Sequence, residues 1–170
     1  LTMKVLWLSN SAFDTERIKV TGSWLQPMAE QLASYITIVN ITDGIVEKPI
    51  SSNLKKIKQW VIPAKSSNYG QEASAETCSI VKDIIEKEKP DLVHIWGTEK
   101  FWASIYRKGY IGVPTILDIQ GLLVPYTEYY YGGLSIKEIF QSIHLKEILM
   151  PTRILFHKKE VFRKRGVSET

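Results

Sequence analysis

The side chains best suited to ligand binding follow three segments that have the composition of buried β-strands. A carboxylate and a carboxamide side by side at a strand end bind hydroxyl groups in a specific geometry. Because the carboxyl ends of parallel strands meet at one edge of an open sheet, we expect these side chains to line one pocket. The candidate ligand-binding residues are Gly22, Ser23, Trp24, Glu99, Asp118, Gln120 and Gly121.

The sequence Gly22-Ser23-Trp24 is predicted to open the first helix. Glycine lets a ligand approach the backbone closely, and the start of a helix offers N–H donors that suit hydroxyls or anions. Ser23 with Gln26 matches a capping box, so Ser23 is the predicted N-cap. An ordinary capped helix is the competing interpretation. The chain contains neither G-x-G-x-x-G nor G-x-x-x-x-G-K-[ST], which disfavours dinucleotide and P-loop phosphate binding.

The other candidates also have structural interpretations. Glu99 is placed in the first turn of a predicted helix, where the helix dipole stabilises a carboxylate with or without a ligand. Strand alternation points Asp118 and Gln120 to the same side, although Asp118 also suits a turn cap. His94 lies inside an apolar strand and is predicted to be a hydrogen-bonded core residue. The three histidines and the one cysteine lack metal-ligand spacing, so no metal site is predicted.

Strand and helix patterns alternate along the chain, which is typical of a parallel sheet with crossover helices. Asp43-Gly44 is a turn signal, residues 45–56 are poorly patterned, and residues 122–133 are predicted to be a long tyrosine-rich loop. Strands are predicted at 4–8, 35–41, 58–62, 91–96 and 114–119. Helices are predicted to begin near Ser23, Glu72, Gly97 and Ser135, with a last amphipathic helix over 154–165.

The composition favours one globular domain. The chain has 170 residues, of which 44% are hydrophobic and 24% charged. Cys78 is the only cysteine, so no internal disulfide can form, which fits a reducing compartment. No apolar run reaches about 18 residues, so neither a membrane span nor a signal peptide is predicted, and we expect a cytoplasmic location.

The net charge of +4 is concentrated towards the C-terminus. Residues 153–165 contain six basic residues and one acid, so they carry +5 and the others sum to −1. Together with the tyrosines of the preceding loop, this stretch is predicted to contact an anionic membrane surface, with a solvated helix face as the alternative. Nucleic-acid binding is not expected, because no zinc-finger, RNA-binding or helix-turn-helix motif occurs. The predicted membrane-contact residues are Lys158, Lys159, Arg163, Lys164 and Arg165.

Two longer motifs, taken with Gly22-Ser23-Trp24, resemble the N-terminal domain of GT-B glycosyltransferases. The motifs are PDLVHIWGTE at residues 90–99 and VPTILDIQG at residues 113–121. The group that the chain resembles is the retaining, nucleotide-sugar-dependent family-four type, common in bacterial capsule and lipopolysaccharide assembly. The resemblance implies a Rossmann-like, three-layer α/β/α domain over residues 3–170, with a central, mostly parallel sheet that holds the acceptor.

The resemblance also assigns expectations to individual positions. It implies that Gly22 and Ser23 form the glycine-rich first loop near acceptor and donor phosphates, and that Glu99 is the acidic or polar position after the fourth strand. Gln120 stands where many members have histidine, so no catalytic residue is assigned. The expected partners are a carbohydrate or lipid-linked sugar acceptor, the C-terminal domain of the same protein and the inner membrane face.

The donor-binding half of the family, with its paired glutamates, is not found in this sequence. A nucleotide-sugar donor is therefore expected only for the full-length enzyme, a hexosyltransferase, and no cofactor is expected in this chain. Alone, the chain is expected to be inactive, because donor phosphates would have no electrostatic partners.

The alternative is a stand-alone, non-catalytic Rossmann-like module that binds a small ligand or a protein. Receiver domains belong to this class, but they require an acidic cluster after the first strand and a phosphorylatable aspartate after the third. Asn10 and Pro63 occupy those two positions, which argues against a receiver.

Overall fold

The computed structural model describes residues 2–13, 24–63, 72–98, 100–119, 122–141 and 159–163. This part of the chain contains six β-strands and five α-helices, followed by a helical segment at 159–163. The strands are β1 (Lys4–Leu8), β2 (Thr37–Gly44), β3 (Ile50–Leu54), β4 (Ile57–Pro63), β5 (Leu92–Trp96) and β6 (Thr115–Asp118). The helices are α1 (Leu25–Leu32), α2 (Ala75–Glu88), α3 (Trp102–Arg107), α4 (Leu123–Glu128) and α5 (Ile136–Gln141).

All six strands belong to one sheet with the order β3-β4-β2-β1-β5-β6. Every neighbouring pair is parallel except β3 with β4. From β1 the chain moves outward through β2 to β4, then returns to place β5 on the other side of β1. This reversal of strand order is the arrangement of a Rossmann-like α/β fold, so the predicted fold class is confirmed.

Helices cover the sheet on both faces, because successive side chains of a strand point to opposite sides. On one face, called here the α1 face, α1 packs through Leu25 and Ala29 against Val5, Trp7 and Ile38. On the opposite face, α2 and α3 complete a larger core. That core includes Leu6, Leu8, Val39, Ile41, Val93 and Ile95 of the sheet, Val81 and Ile85 of α2, and Trp102 and Ile105 of α3.

Local signals explain the limits of α2. The Ser74 hydroxyl accepts a hydrogen bond from the Thr77 N–H (3.1 Å), which caps the N-terminus. At the other end, Lys89 adopts a left-handed conformation, and Pro90 cannot continue the helix. Cys78, with the other apolar positions of the predicted helical spacing, is buried, as the sequence pattern indicated.

The structure describes the first helix from Leu25 onward, with Trp24 directly before it. The predicted N-cap, Ser23, lies outside the described residues. Within the helix, the Gln26 amide donates to Glu30 (3.1 Å). The helix predicted to begin near Ser135 starts with a capping box, in which the Ser135 N–H and hydroxyl both donate to the Glu138 carboxylate.

Strand β2 continues through the predicted turn at Asp43-Gly44. These residues pair with Ile62 and Pro63 of β4, so the main-chain ladder overrides the local turn preference. Gly44 is required by close approach, because a Cβ there would lie 2.7 Å from Val61 Cγ1.

Three other segments also differ from the sequence predictions. The poorly patterned region holds β3, an edge strand that pairs with β4 through main-chain bonds and needs little apolar alternation. The predicted tyrosine-rich loop contains α4. Helix α3 begins at Trp102 instead of Gly97, whose positive φ of 86° is incompatible with an α-helix. In the described residues, no helix is both long and apolar enough to cross a bilayer.

Candidate functional site

The strand order reverses between β1 and β5, and ligands of open α/β sheets bind beyond the carboxyl ends of such strands. Ser9 and Asn10 follow β1 at this edge, and Gly97 and Thr98 follow β5. We call this edge the carboxyl rim.

A buried network of carboxamides fixes the chain that follows β1. The Ser9 hydroxyl donates to Asn40 Oδ1 (2.8 Å), and Asn40 Nδ2 donates to the Ser11 carbonyl (3.0 Å) and to Gln59 Oε1 (3.3 Å). Gln59 makes two further bonds to one loop residue: its Oε1 accepts from the Phe13 N–H (2.6 Å), and its Nε2 donates to the Phe13 carbonyl (3.1 Å). The side chain of Gln59 thus pairs with the backbone of Phe13 as a neighbouring strand would.

These bonds follow from the placement of two amides in the interior. Asn40 and Gln59 are pairing partners on β2 and β4, they point to the α1 face, and neither is exposed. A buried carboxamide without partners costs several kcal/mol of stability, roughly 1–3 in protein mutational data. The backbone of residues 9–13 supplies those partners, so this loop is held against the sheet at the carboxyl rim.

Two contacts secure the carboxyl rim from the opposite face. Trp102 Nε1 donates to Asn10 Oδ1 (2.8 Å), which joins α3 to the loop after β1. Lys100 Nζ lies 2.6 Å from Asp43 Oδ1, which joins the loop after β5 to the end of β2. Both ionic side chains are largely buried, and such pairs are screened less by water than surface pairs. The ends of β1, β2 and β5 are therefore fixed relative to one another.

An aromatic wall stands on the α1 face of β5. The Trp96 ring stacks on His94 (centroids 4.0 Å apart) and meets Trp7 edge-on (5.2 Å). Trp24, at the start of α1, meets Trp96 edge-on (5.7 Å) while 61% of its surface stays exposed. On this face of β5, His94 and Trp96 are only half-buried. The wall therefore presents aromatic surface to a ligand at the rim.

Asp118 ends the neighbouring strand beside this wall. It pairs with Trp96 in register and points to the same face, and the Gly97 N–H donates to its carbonyl (3.0 Å). Burial lowers the pKa of the His94 imidazole, while the Asp118 carboxylate opposes that shift. His94 was predicted to be a hydrogen-bonded core residue. It is instead half-buried and packed against aromatic rings.

Two buried polar atoms near the carboxyl rim have no hydrogen-bond partner in the part of the chain that the structure describes. They are Thr42 Oγ1 and Trp96 Nε1. Leu8 pairs with Ile41 of β2 and with Ile95 of β5. Thr42 and Trp96 are the next residues of these two strands, so both point to the α1 face at the same level of the sheet. Leaving such groups unpaired costs about 1–3 kcal/mol each.

Two cavities lined by described residues lie at the opposite rim. The larger, about 420 Å³, is formed where α2 ends and where β5 and β6 begin, with Lys82, Glu86, Lys89 and Tyr110 in its lining. A smaller one of about 180 Å³ is lined by Glu30, Ser34 and Lys55 among others. Neither contains a candidate ligand-binding residue from the sequence analysis, although Pro90 and Val113, the first residues of the two motifs, line the larger one. Among the described residues, strand ends and aromatic surface come together at the carboxyl rim with Trp24 and Asp118, so we place the site there.

The structure brings together part of the predicted site. Trp24 and Asp118 flank Trp96 as one group. Sequence reasoning missed Thr42, Asn40 and Gln59, whose signal was a polar residue inside an otherwise apolar strand.

Among the described residues, no cluster of His, Cys, Asp or Glu suits a metal ion. The predicted residues outside the described part are Gly22, Ser23, Glu99, Gln120, Gly121, Lys158, Lys164 and Arg165, whereas Lys159 and Arg163 belong to the helical segment 159–163.

Replacing Gln59 with Leu should destabilise the protein by about 3 kcal/mol, because the N–H and carbonyl of Phe13 would be buried without partners. Urea unfolding of both proteins measures this difference. Ser52→Ala is the matched control: Ser52 pairs with Gln59 in the sheet, and its buried hydroxyl has no partner to lose in the described chain. We expect it to change stability by less than about 0.5 kcal/mol. Equal stabilities of the two variants would show that the amide does not hold the loop.

The His94 imidazole should titrate below its ordinary value of about 6.5. As the pH falls below about 6.5, the imidazole of the unfolded chain is protonated before that of the folded chain. Protonation therefore favours the unfolded state, and the free energy of unfolding decreases as the pH decreases. An NMR titration, with His94→Gln to assign the signal, measures the pKa. Asp118→Asn should lower it further, because the carboxylate raises it, whereas Asp83→Asn on the exposed side of α2 should not. A His94 pKa above 6.5, or one unmoved by Asp118→Asn, would contradict the geometry described here.

The sequence matches no protein-family model and no curated protein sequence. A function for this chain therefore has to be argued from its fold and from the carboxyl rim.

Proposed function

We propose that this domain is the acceptor-binding half of a nucleotide-sugar-dependent glycosyltransferase, with the saccharide bound at the carboxyl rim. The observation that carries the proposal is the aromatic wall of Trp24, Trp96 and His94 beside Asp118, at the point where the strand order reverses. Ligands of this fold class bind at such a point.

The groups at the rim match the chemistry of a sugar. An exposed indole face packs against the apolar face of a pyranose ring, and Trp24 has such a face. A carboxylate accepts hydrogen bonds from two neighbouring hydroxyls, which suits Asp118.

The sequence resemblance to the GT-B N-terminal domain supports the same proposal, because that domain grips the acceptor. In the full-length enzyme a second domain would bind the nucleotide-sugar donor, and the cleft between the two would hold the reacting groups. The acceptor would be a carbohydrate or lipid-linked sugar of cell-surface polysaccharide or glycan synthesis, met at the cytoplasmic face of the membrane. No catalytic residue is assigned to this chain, and alone it would not transfer sugar.

Trp24→Ala should weaken saccharide binding about tenfold, because the stacking surface is removed while the fold is not touched. The probe is an array of neutral and acidic oligosaccharides, followed by calorimetry with the strongest binder. Tyr35→Ala is the matched control: Tyr35 is also a well-exposed ring, but it lies at the opposite rim, just before β2.

Two results would count against the proposal. One is the absence of binding to any saccharide on the array. The other is equal loss of affinity in Trp24→Ala and Tyr35→Ala, which would place the ligand away from the aromatic wall. Binding that survives Asp118→Asn unchanged would remove Asp118 from the site without removing the aromatic contact.

A further inference from the structure

The larger cavity at the rim opposite the carboxyl rim lies between α2 and residues 109–113, which belong to the connection from α3 to β6. We call it the α2 cavity. Its volume of about 420 Å³ is within the range of pockets that hold small organic molecules, roughly 300–1,000 Å³. It therefore has room for a ligand at a place that the proposed saccharide site does not use.

One wall of the α2 cavity is a single face of the helix. Lys82, Ile85, Glu86 and Lys89 line it, and steps of three or four residues bring such positions to one side of a helix. Ile85 is buried, whereas the three charged side chains are exposed. This wall therefore combines apolar surface with charge.

The rest of the lining is largely apolar. Tyr110 and Val113 are half-buried and pack against the core that α2 and α3 cover, and Pro90 is buried. Gly112 keeps this side open, because a Cβ there would meet no atom within 4 Å. An aromatic ring with aliphatic surface beside it suits the flat, apolar body of a ligand.

The charges of the lining leave one cation without a partner. Lys82 Nζ lies 3.8 Å from Glu86 Oε1, so these two charges compensate each other. Lys89 Nζ has neither an ion pair nor a hydrogen bond in the part of the chain that the structure describes. Two lysines and one glutamate give the lining a net charge of +1.

The negative end of the α2 dipole has cationic and main-chain partners of its own. The Glu88 carbonyl accepts a hydrogen bond from Lys4 Nζ (2.7 Å), and the Ile85 carbonyl accepts one from the Lys89 N–H (2.8 Å). The side-chain ammonium group of Lys89 therefore stays available to a ligand.

Two main-chain donors line the same cavity. The N–H groups of Gly112 and Val113 donate to no other described residue, whereas the Tyr110 N–H donates to the Ile105 carbonyl (3.2 Å). An ammonium group and N–H donors bind an oxyanion through charge-assisted hydrogen bonds. A carboxylate has the single negative charge that balances this lining.

We propose that the α2 cavity binds a small organic carboxylate with an aromatic body. The ring lies against Ile85, Tyr110 and Val113, and the carboxylate pairs with Lys89. The cavity is at the opposite end of the sheet from Trp24 and Asp118, so this inference does not depend on sugar transfer.

The test compares three probes that share one ring system: naphthoate, the neutral naphthamide and the cationic naphthylmethylamine. A proton–nitrogen NMR titration follows the amide signals of Gly109, Gly112 and Val113. Naphthoate should shift them and bind at least about fivefold more tightly than the other two probes, because only its carboxylate pairs with an ammonium group. The amide signals of Ser34 and Lys56, at the smaller cavity, should stay unchanged.

Two variants assign the binding to this lining. Lys89→Gln should weaken naphthoate binding about fivefold and leave naphthamide binding unchanged. The matched control is Lys87→Gln, because the Lys87 ammonium lies over the Trp60 ring, 4.9 Å from its centre, and does not line the cavity. Gly112→Leu should weaken the binding of naphthoate and naphthamide at least about tenfold, since the added side chain takes up room in the cavity without backbone strain.

Four outcomes would overturn the proposal. Naphthoate leaves the three amide signals unmoved, the neutral or cationic probe binds as tightly as naphthoate, Lys89→Gln and Lys87→Gln bind naphthoate equally, or Gly112→Leu binds it as the unmodified protein does. None of these outcomes bears on saccharide binding, which is measured with other ligands and with Trp24→Ala.

Discussion

The pairing of the Gln59 carboxamide with the backbone of Phe13 is the interaction on which the proposed site depends. It lies in the interior, where an unpaired amide is costly, so the loop after β1 has one favourable position. Asn40 extends the same network to Ser9 and Ser11. Two polar residues inside apolar strands thus stabilise a loop instead of weakening a core.

That fixed loop gives the carboxyl rim a defined shape. Trp7 lies between the amide network and the aromatic wall, because it pairs with Asn40 on one side and with His94 on the other. Trp96 follows His94 by two residues on β5, so it points to the same face. It contacts Trp24 and pairs with Asp118 of β6. His94, Trp96 and Asp118 are therefore placed by parallel strand register, and Trp24 by its position at the start of α1.

The sequence was sufficient for the architecture but not for the details of the site. Alternation of apolar strands with helical spacing predicted the parallel sheet, because burial on both faces leaves a clear apolar pattern. Strand β3 left no such pattern, since an edge strand is held mainly by main-chain bonds to β4. The roles of Asn40 and Gln59 required knowledge of which strands are neighbours, and β4 lies next to β2 only in the folded sheet. Trp24 and Asp118 could be selected because strand ends of this fold class converge at one rim.

A saccharide bound at the carboxyl rim must lie against Trp24 and Trp96, and the five tryptophans of the chain report on this directly. The measurement is a proton–nitrogen NMR titration of the indole N–H signals with a saccharide that binds. The account predicts that the Trp24 and Trp96 signals shift, while the Trp60 signal, whose N–H is bonded to Glu88 beneath α2, stays unchanged. A titration that shifts Trp60 and leaves Trp24 and Trp96 unmoved would contradict it.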